Sequence, residues 1–398
     1  VLKSWFSLLK TSFLGCLCLF ATQISISTAA DELTVDVLYI EQKIERPPVL
    51  SNLVVWPEDD GERGAALGTN DNNTTGRFLG QTHQLTTQVV DIGEDVVEVA
   101  RNALANKSRL VVLNVEAETL LEIADLPEAS DDLLFNARSR NTSLRDSDCR
   151  GNLLHTAPSR SMLSDALMQF LNKRKWRELF LIEGNRSGDT ALANAMRRSA
   201  KKFQLKIVED KQWIEDADMR RNATQEVPVF TQARKYDAVV VTDEDRDFAQ
   251  YLLYNTWLPR PVAGSAGMRP VAWSPVIEQW GAAQLQSRFM KLSARQMTEV
   301  DYGNWAAVRS IGEAVTRIKS TVPMDVRDYL LSSDFELAGF KGTSLSFRPW
   351  NGQLRQSVQL VHANAVVASA PIEGFLHART ELDTLGLDKP ESQCSAFN

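Results

Sequence analysis

Cysteine and histidine are scarce in this 398-residue chain, with four of each. Cys16 and Cys18 fall within the first 30 residues, while Cys149 and Cys394 stand far apart. No CxxC pair and no Cys/His cluster at metal-ligand spacing occurs, which excludes zinc-finger and thioredoxin-like readings. His83, His155, His362 and His377 are scattered, and both HExxH and the GxSxG elbow are missing. His155, close before Ser159, therefore reads as a packed or capping residue and not as half of a catalytic pair. GxGxxG and GxxxxGK[ST] are also lacking, so no nucleotide-phosphate loop is indicated. After residue 30 no apolar run reaches the ~20 residues that span a bilayer. Basic residues are outnumbered, 44 against 51 acidic, which argues against nucleic acid as a partner.

What is present begins with a distinct stretch at 1–30. It carries Lys3 and Lys10, no acidic residue, an apolar run over 13–21 and small residues up to Ala29 and Ala30. This pattern predicts a secretory signal peptide cleaved near Ala29 or Ala30, and hence an exported protein. A lipoprotein site at Leu14-Gly15-Cys16 is the second reading. Without Lys3 and Lys10 the net charge becomes −9, from 42 basic and 51 acidic residues. In an oxidising compartment Cys149 and Cys394 are either a bridge tying down the C-terminal tail or two free thiols.

The remainder alternates between short apolar runs and helical periodicity. Residues 33–40, 84–90, 110–115 and 133–135 read as strands, with a helix at 94–105 and a shorter one at 120–124. Gly64 to Gly68 suggests a small-residue helix packed close to a sheet, and Asn70 to Gly76 reads as a turn. From Asn152 the rhythm restarts. Met162, Leu163, Ala166, Leu167, Phe170 and Leu171 mark one helix face, and Leu179 to Ile182 reads as a strand buried on both sides. Strands at 205–208, 236–242 and 260–264 follow, with helices at 187–203 and 248–254. Spacings of about 20–30 residues between strands suit βα units with right-handed crossovers. Beyond Met268 come a Trp- and Pro-rich segment, an amphipathic helix from Tyr302 to Ile318, a second helix at 324–331, and short β runs at 345–347, 356–361 and 365–368. Asn351-Gly352 predicts a hairpin turn between the first two of these runs. Trp273 and Trp280 read as core.

These residues resemble a known family. Gly64-Ala65-Ala66-Leu67 leading to Asn70 and on to Thr75-Gly76-Arg77-Phe78-Leu79-Gly80, the helix over 302–315, and Phe340-Lys341-Gly342-Thr343 to Phe347 with Asn351-Gly352 look like a type I periplasmic solute-binding protein of an ABC transporter. The Leu/Ile/Val-binding branch is the nearest general type. Residues 71–81, 152–159 and 269–288 are similar, more narrowly, to the branch associated with PQQ-dependent alcohol oxidation. The resemblance implies an α/β fold with two Rossmann-like lobes joined by a hinge, plus terminal β-hairpins. The expected lobes are 31–152 with 270–347, and 153–269 with 348–398. It implies an importer subunit, not an enzyme, that captures a small-molecule solute and presents it to a membrane permease. No cofactor is expected, and a monomer is. A ligand-sensing module of the same fold is the alternative.

Ligands of open α/β sheets lie beyond the carboxyl ends of the strands. That rule nominates Glu116, Ala117, Glu118, Ala137 and Arg138 from the first lobe, and Asn185, Arg186, Thr242, Asp243 and Ser265 from the second. Amino-acid-binding members of the family are expected to hold the ligand carboxylate with a Ser/Thr-rich loop after a first-lobe strand. Here Glu116 and Glu118 stand in that place and would repel it. Glu116, Glu118, Asp243 and Glu244 would together suit a hard cation, such as a rare-earth metal or a metal chelate. The competing reading is that these acids cap the helices that follow. Arg138 and Arg186 are either a clamp for an anionic solute or surface and interlobe ion-pair partners.

Overall fold

Alternation within β1 (Leu33–Gln42) sends Val35, Val37 and Tyr39 to one side of a sheet and Leu38 and Ile40 to the other. Both sides are buried, as a parallel strand covered by helices requires. The computed structural model describes residues 32–45, 56–105, 109–213 and 219–397. The leader reading of 1–30 lies outside them. β1 is flanked by β2 (Gln81–Val90) and β3 (Leu110–Asn114), and β4 (Leu133–Asn136) and β5 (Leu153–His155) complete a parallel sheet in the order β2-β1-β3-β4-β5. One face is covered by α2 (Val96–Leu104) and α3 (Ala117–Ala124). The other is covered by α1 (Glu62–Gly76) and by helices that arrive late in the chain.

The stretch expected to turn at Asn70 to Gly76 is instead the last half of α1. Its polar side chains are used up by tertiary bonds: Asn72 donates to the Val308 carbonyl at 2.9 Å, and Asn73 both donates to and accepts from the His83 backbone. These bonds hold asparagines in a helix that their propensity alone disfavours.

The second lobe opens with α4 (Arg160–Lys173), whose start is fixed by the Ser159 hydroxyl accepting the Met162 N–H. There follow β6 (Glu178–Glu183), α5 (Ser187–Lys202), β7 (Lys206–Gln212), α6 (Met219–Phe230), β8 (Ala238–Thr242), α7 (Ala249–Leu252), β9 (Val262–Gly264) and β10 (Met268–Val271). β7, β6, β8 and β9 run parallel. The helix expected over 248–254 is the single turn α7.

The chain then returns to the first lobe as α8 (Ala282–Ser293), α9 (Glu299–Ile318) and α10 (Pro323–Leu331). α9 starts at a Thr298-x-x-Asp301 capping box in which each side chain accepts the other's backbone N–H. It packs on α1 at very short range. A Cβ added at Gly64 would lie 2.0 Å from the Asp301 carbonyl oxygen. A three-stranded antiparallel unit follows, made of β11 (Leu337–Ala338), β12 (Ser344–Phe347) and β13 (Leu354–Arg355). Asn351-Gly352 turns β12 into β13, not into the longer run after it, with Gly352 at φ 65°. That longer run, β14 (Val358–His362), crosses to the second sheet. It pairs antiparallel with β10 and with the terminal hairpin strand β15 (Ala365–Ala370).

The expected boundary at 152/153 thus falls just before β5, which pairs with β4, and the chain leaves the first sheet after His155. The expected return at 270 falls inside β10, which belongs to the second sheet. Three segments join the lobes, around Thr156, Ala272 and Gln356. Lys341, 1 % exposed, laces them together. Its side-chain nitrogen donates to the Ala272 carbonyl at 2.9 Å and to Gln356 Oε1 at 2.6 Å, and Gln356 Nε2 donates to the Thr156 carbonyl at 2.8 Å. Cys149 and Cys394 are joined as a disulfide, with Cα atoms 5.6 Å apart, and tie the tail to the first lobe. Among the described residues no helix is long and apolar enough to cross a membrane.

Candidate functional site

A cavity of about 580 Å³ opens between the lobes. The second lobe supplies Asp243 and Glu244 from the end of β8, then Arg246, Ser265 from the end of β9, and Arg269. The first lobe supplies Asp60, Arg140 and the amino end of α9 with Thr298 and Glu299. Leu163, Leu192, Met196, Val271, Trp273 and Met297 add apolar wall. The volume lies in the range of small-molecule sites, which are largely apolar with a few placed polar groups.

Local geometry sets each polar group. The Ser265 hydroxyl accepts the Asp243 N–H at 2.8 Å, fastening the ends of β8 and β9 to each other. The Asp243 carboxylate accepts the Phe248 and Ala249 N–H groups, both at 2.8 Å, and so caps α7. Burial pushes its pKa up. Between these, the turn from Asp243 to Arg246 closes with Arg246 at φ 56°, a left-handed conformation uncommon for a residue with a side chain. Glu244 is held by Arg160 through two bonds at 2.6 and 2.7 Å. Glu299 pairs with Arg140 at 3.1 Å and also accepts the Ala272 N–H. Burial works against the Arg140 charge, but Glu299, Glu244 and Asp60 outweigh it and raise its pKa. Arg295 is consumed by Asp59 and by the fully buried Asp301. Burial and the nearby Asp301 raise the Asp60 carboxyl to about 6.

Of the residues nominated from sequence, Asp243, Glu244 and Ser265 line this cavity, and Thr242 lies fully buried behind them. Arg138 does not; it lines a second cavity of about 720 Å³ beside Glu41, Lys43 and Asp60 and pairs with Glu116 at 3.3 Å. Glu116 and Glu118 are exposed at the start of α3, and Ala117 and Ala137 are core. Asn185 is exposed, and Arg186 pairs with Asp245 and Asp247. The four acids proposed as a cation site are not brought together. Among the described residues no group of three metal-ligating side chains is placed to hold a metal. The physical reason is that Glu116, Asp243 and Glu244 are already satisfied by an arginine or by backbone N–H groups. Capping describes Asp243 well; Glu116 sits at the cap position of α3 without accepting a capping bond. Trp273 is buried and stacks on Tyr302 at 4.9 Å, whereas Trp280 is half-exposed and not core.

Reasoning from strand ends missed Arg140, Arg246, Arg269 and Glu299. Arg246 was visible only as the lone cation within an acidic run, and Arg269 sits inside a strand. Nothing local distinguishes either from a surface arginine.

No protein-family model matches the sequence, and no curated protein matches it. Solved structures do match. A branched chain amino acid ABC transporter periplasmic ligand-binding protein from Burkholderia xenovorans superposes with a TM-score of 0.72 at 16% identity, over 92% of this chain and 100% of that one. A leucine-, isoleucine-, valine-, threonine- and alanine-binding protein from Brucella ovis, in a closed conformation, gives 0.68 at 16% identity over 91% and 98%. A branched-chain amino acid transporter substrate binding protein from Streptococcus pneumoniae, in complex with isoleucine, gives 0.61 at 13% identity over 84% and 98%. The fold is therefore that of the type I periplasmic binding proteins, two α/β lobes with parallel-stranded sheets.

Proposed function

We propose that this chain is the periplasmic solute-binding subunit of an ABC importer. It captures a small solute between its lobes by hinge closure and presents it, as a monomer, to the membrane permease. The observation that carries this reading is the cavity itself, walled by both lobes at the carboxyl ends of β8 and β9 and at the amino end of α9. Closure about the three joining segments would bury a ligand on both sides, so binding energy shifts an open–closed equilibrium without covalent chemistry. The solved relatives named for amino-acid transport, one of them in a closed conformation, support the same mode. The likeness of residues 71–81, 152–159 and 269–288 to the branch associated with PQQ-dependent alcohol oxidation supports a solute derived from alcohol catabolism.

The test is a thermal-shift screen of amino acids, short organic acids and alcohols, with small-angle scattering on every hit. A ligand at a hundred times its Kd stabilises by about 2.7 kcal/mol. It should also reduce the radius of gyration. A panel that moves neither the melting temperature nor the radius would overturn the proposal.

A further inference from the structure

The charges lining the cavity do not cancel in space. Asp60, Asp243, Glu244 and Glu299 all have donors. Asp60 accepts the Thr298 hydroxyl, Asp243 two backbone N–H groups, Glu244 the guanidinium of Arg160, and Glu299 that of Arg140. Among the cations, Arg140 and Arg295 are likewise engaged. The guanidinium groups of Arg246 and Arg269 make no hydrogen bond and no ion pair with any described residue. Trp273 lines the same cavity, and its buried indole N–H also has no acceptor. The unmet groups are all donors, two of them charged, and they sit beside an apolar wall.

Arg246 and Arg269 repel each other across the site, and Glu299 and Asp243, which favour the Arg246 charge, make no bond to either guanidinium. Burial and the neighbouring Arg269 together lower the pKa of Arg246 to about 10. Its left-handed backbone is a further local strain, of the kind that persists where surrounding structure dictates it. A ligand supplying acceptor oxygens would relieve both the repulsion and the unmet donors. Guanidinium forks match a carboxylate well, because each can give it two parallel N–H bonds.

We infer that Arg246 and Arg269 form the anion subsite of the cleft, and that the solute is an organic carboxylate with an apolar body. This rests on the receptor reading above. Anchoring would then come from side chains of the second lobe, not from the loop after β3, where Glu116 and Ala117 do not line this cavity. The carboxylate would sit against the arginine pair, and the hydrocarbon part would face Leu163, Leu192, Met196 and Val271.

The experiment titrates the full chain calorimetrically with hexanoate, benzoate and succinate, with leucine as a carboxylate that also carries an ammonium, and with hexanamide and 1-hexanol as controls. Arg246→Gln and Arg269→Gln are run in parallel, each first checked for an unchanged circular dichroism spectrum. An acid is expected to bind, its amide or alcohol counterpart to bind at least tenfold more weakly, and each substitution to weaken the acid about ten- to hundredfold. The unliganded variants should melt no lower than the parent, because removing one of two unpaired like charges relieves repulsion. Succinate against hexanoate decides between a second anionic group and an apolar tail. If leucine or the alcohol binds and neither substitution disturbs it, the receptor reading stands and the carboxylate subsite falls. If no compound of the panel binds, both fall.

Discussion

Replacing Lys341 by Met tests the account of the hinge, because the outcome depends on pH in a direction the structure dictates. Burial lowers the Lys341 pKa from 10.5 to about 7, with Glu299 opposing the shift. Its folded value therefore lies below its unfolded one. Below pH 7 both states carry the charge, and the folded state bears the full penalty of burying it. Between pH 7 and pH 10.5 the unfolded chain binds a proton that the folded chain does not, so stability rises with pH across that window. Each pH unit above the folded pKa contributes about 1.4 kcal/mol, and with the slope only half developed at pH 7 the rise from pH 7 to pH 9 is about 2 kcal/mol. Met cannot titrate and lacks this rise. It also strips a donor from the Ala272 carbonyl and from Gln356 Oε1, at about 1–3 kcal/mol for each buried acceptor left alone. Near pH 6 that loss is offset by relief of the buried charge, and the parent and Lys341→Met should differ little. At pH 9 the parent should be more stable by about 2 kcal/mol. Urea unfolding at pH 6, 7, 8 and 9 measures the gap, and other titrating groups cancel in the difference. A gap that stays level or narrows with rising pH would refute the claim that Lys341 is held neutral within the joining segments.

Three further outcomes follow from the packing and the charges. Gly64→Ala would place a Cβ 2.0 Å from the Asp301 carbonyl oxygen, which is backbone and cannot swing away. A loss of about 2–3 kcal/mol is expected in thermal unfolding, together with weaker ligand binding as the amino end of α9 shifts. Reducing the Cys149–Cys394 bridge, which closes a loop of 245 residues, should lower stability by up to about 5 kcal/mol. Solute affinity should hold, since neither cysteine lines the cavity. Arg160→Gln would release the Glu244 carboxylate from its two bonds. A free anion at the wall then opposes an anionic solute by about 1 kcal/mol, roughly fivefold in Kd by calorimetry. An unchanged Kd would show that Arg160 does not mask Glu244.

The sequence by itself settled the features whose physics is local. Alternation in 33–40 and the continuous apolar run in 110–115 mark strands, and the spacing of Tyr302, Trp305, Val308, Ile311 and Val315 marks the long helix. Its start was not read from the sequence: the helix begins three residues before Tyr302, behind the Thr298-x-x-Asp301 box. The succession of such elements was enough to expect two α/β lobes. Tertiary structure alone decided the rest. It put β5 in the first sheet, sent β14 across to the second, and kept Asn70 to Gly76 helical by bonding their amides to α9 and β2. It also decided the site. Whether an acid in the run from Asp243 to Asp247 caps a helix, pairs or faces a ligand depends on partners distant in the chain: Arg160 reaches Glu244 across 84 positions. Periodicity is written in neighbouring residues, whereas the neutralisation of a charge is a property of everything folded around it. That is why strands and helices could be read along the chain, and why the two arginines left without a bonded partner could not.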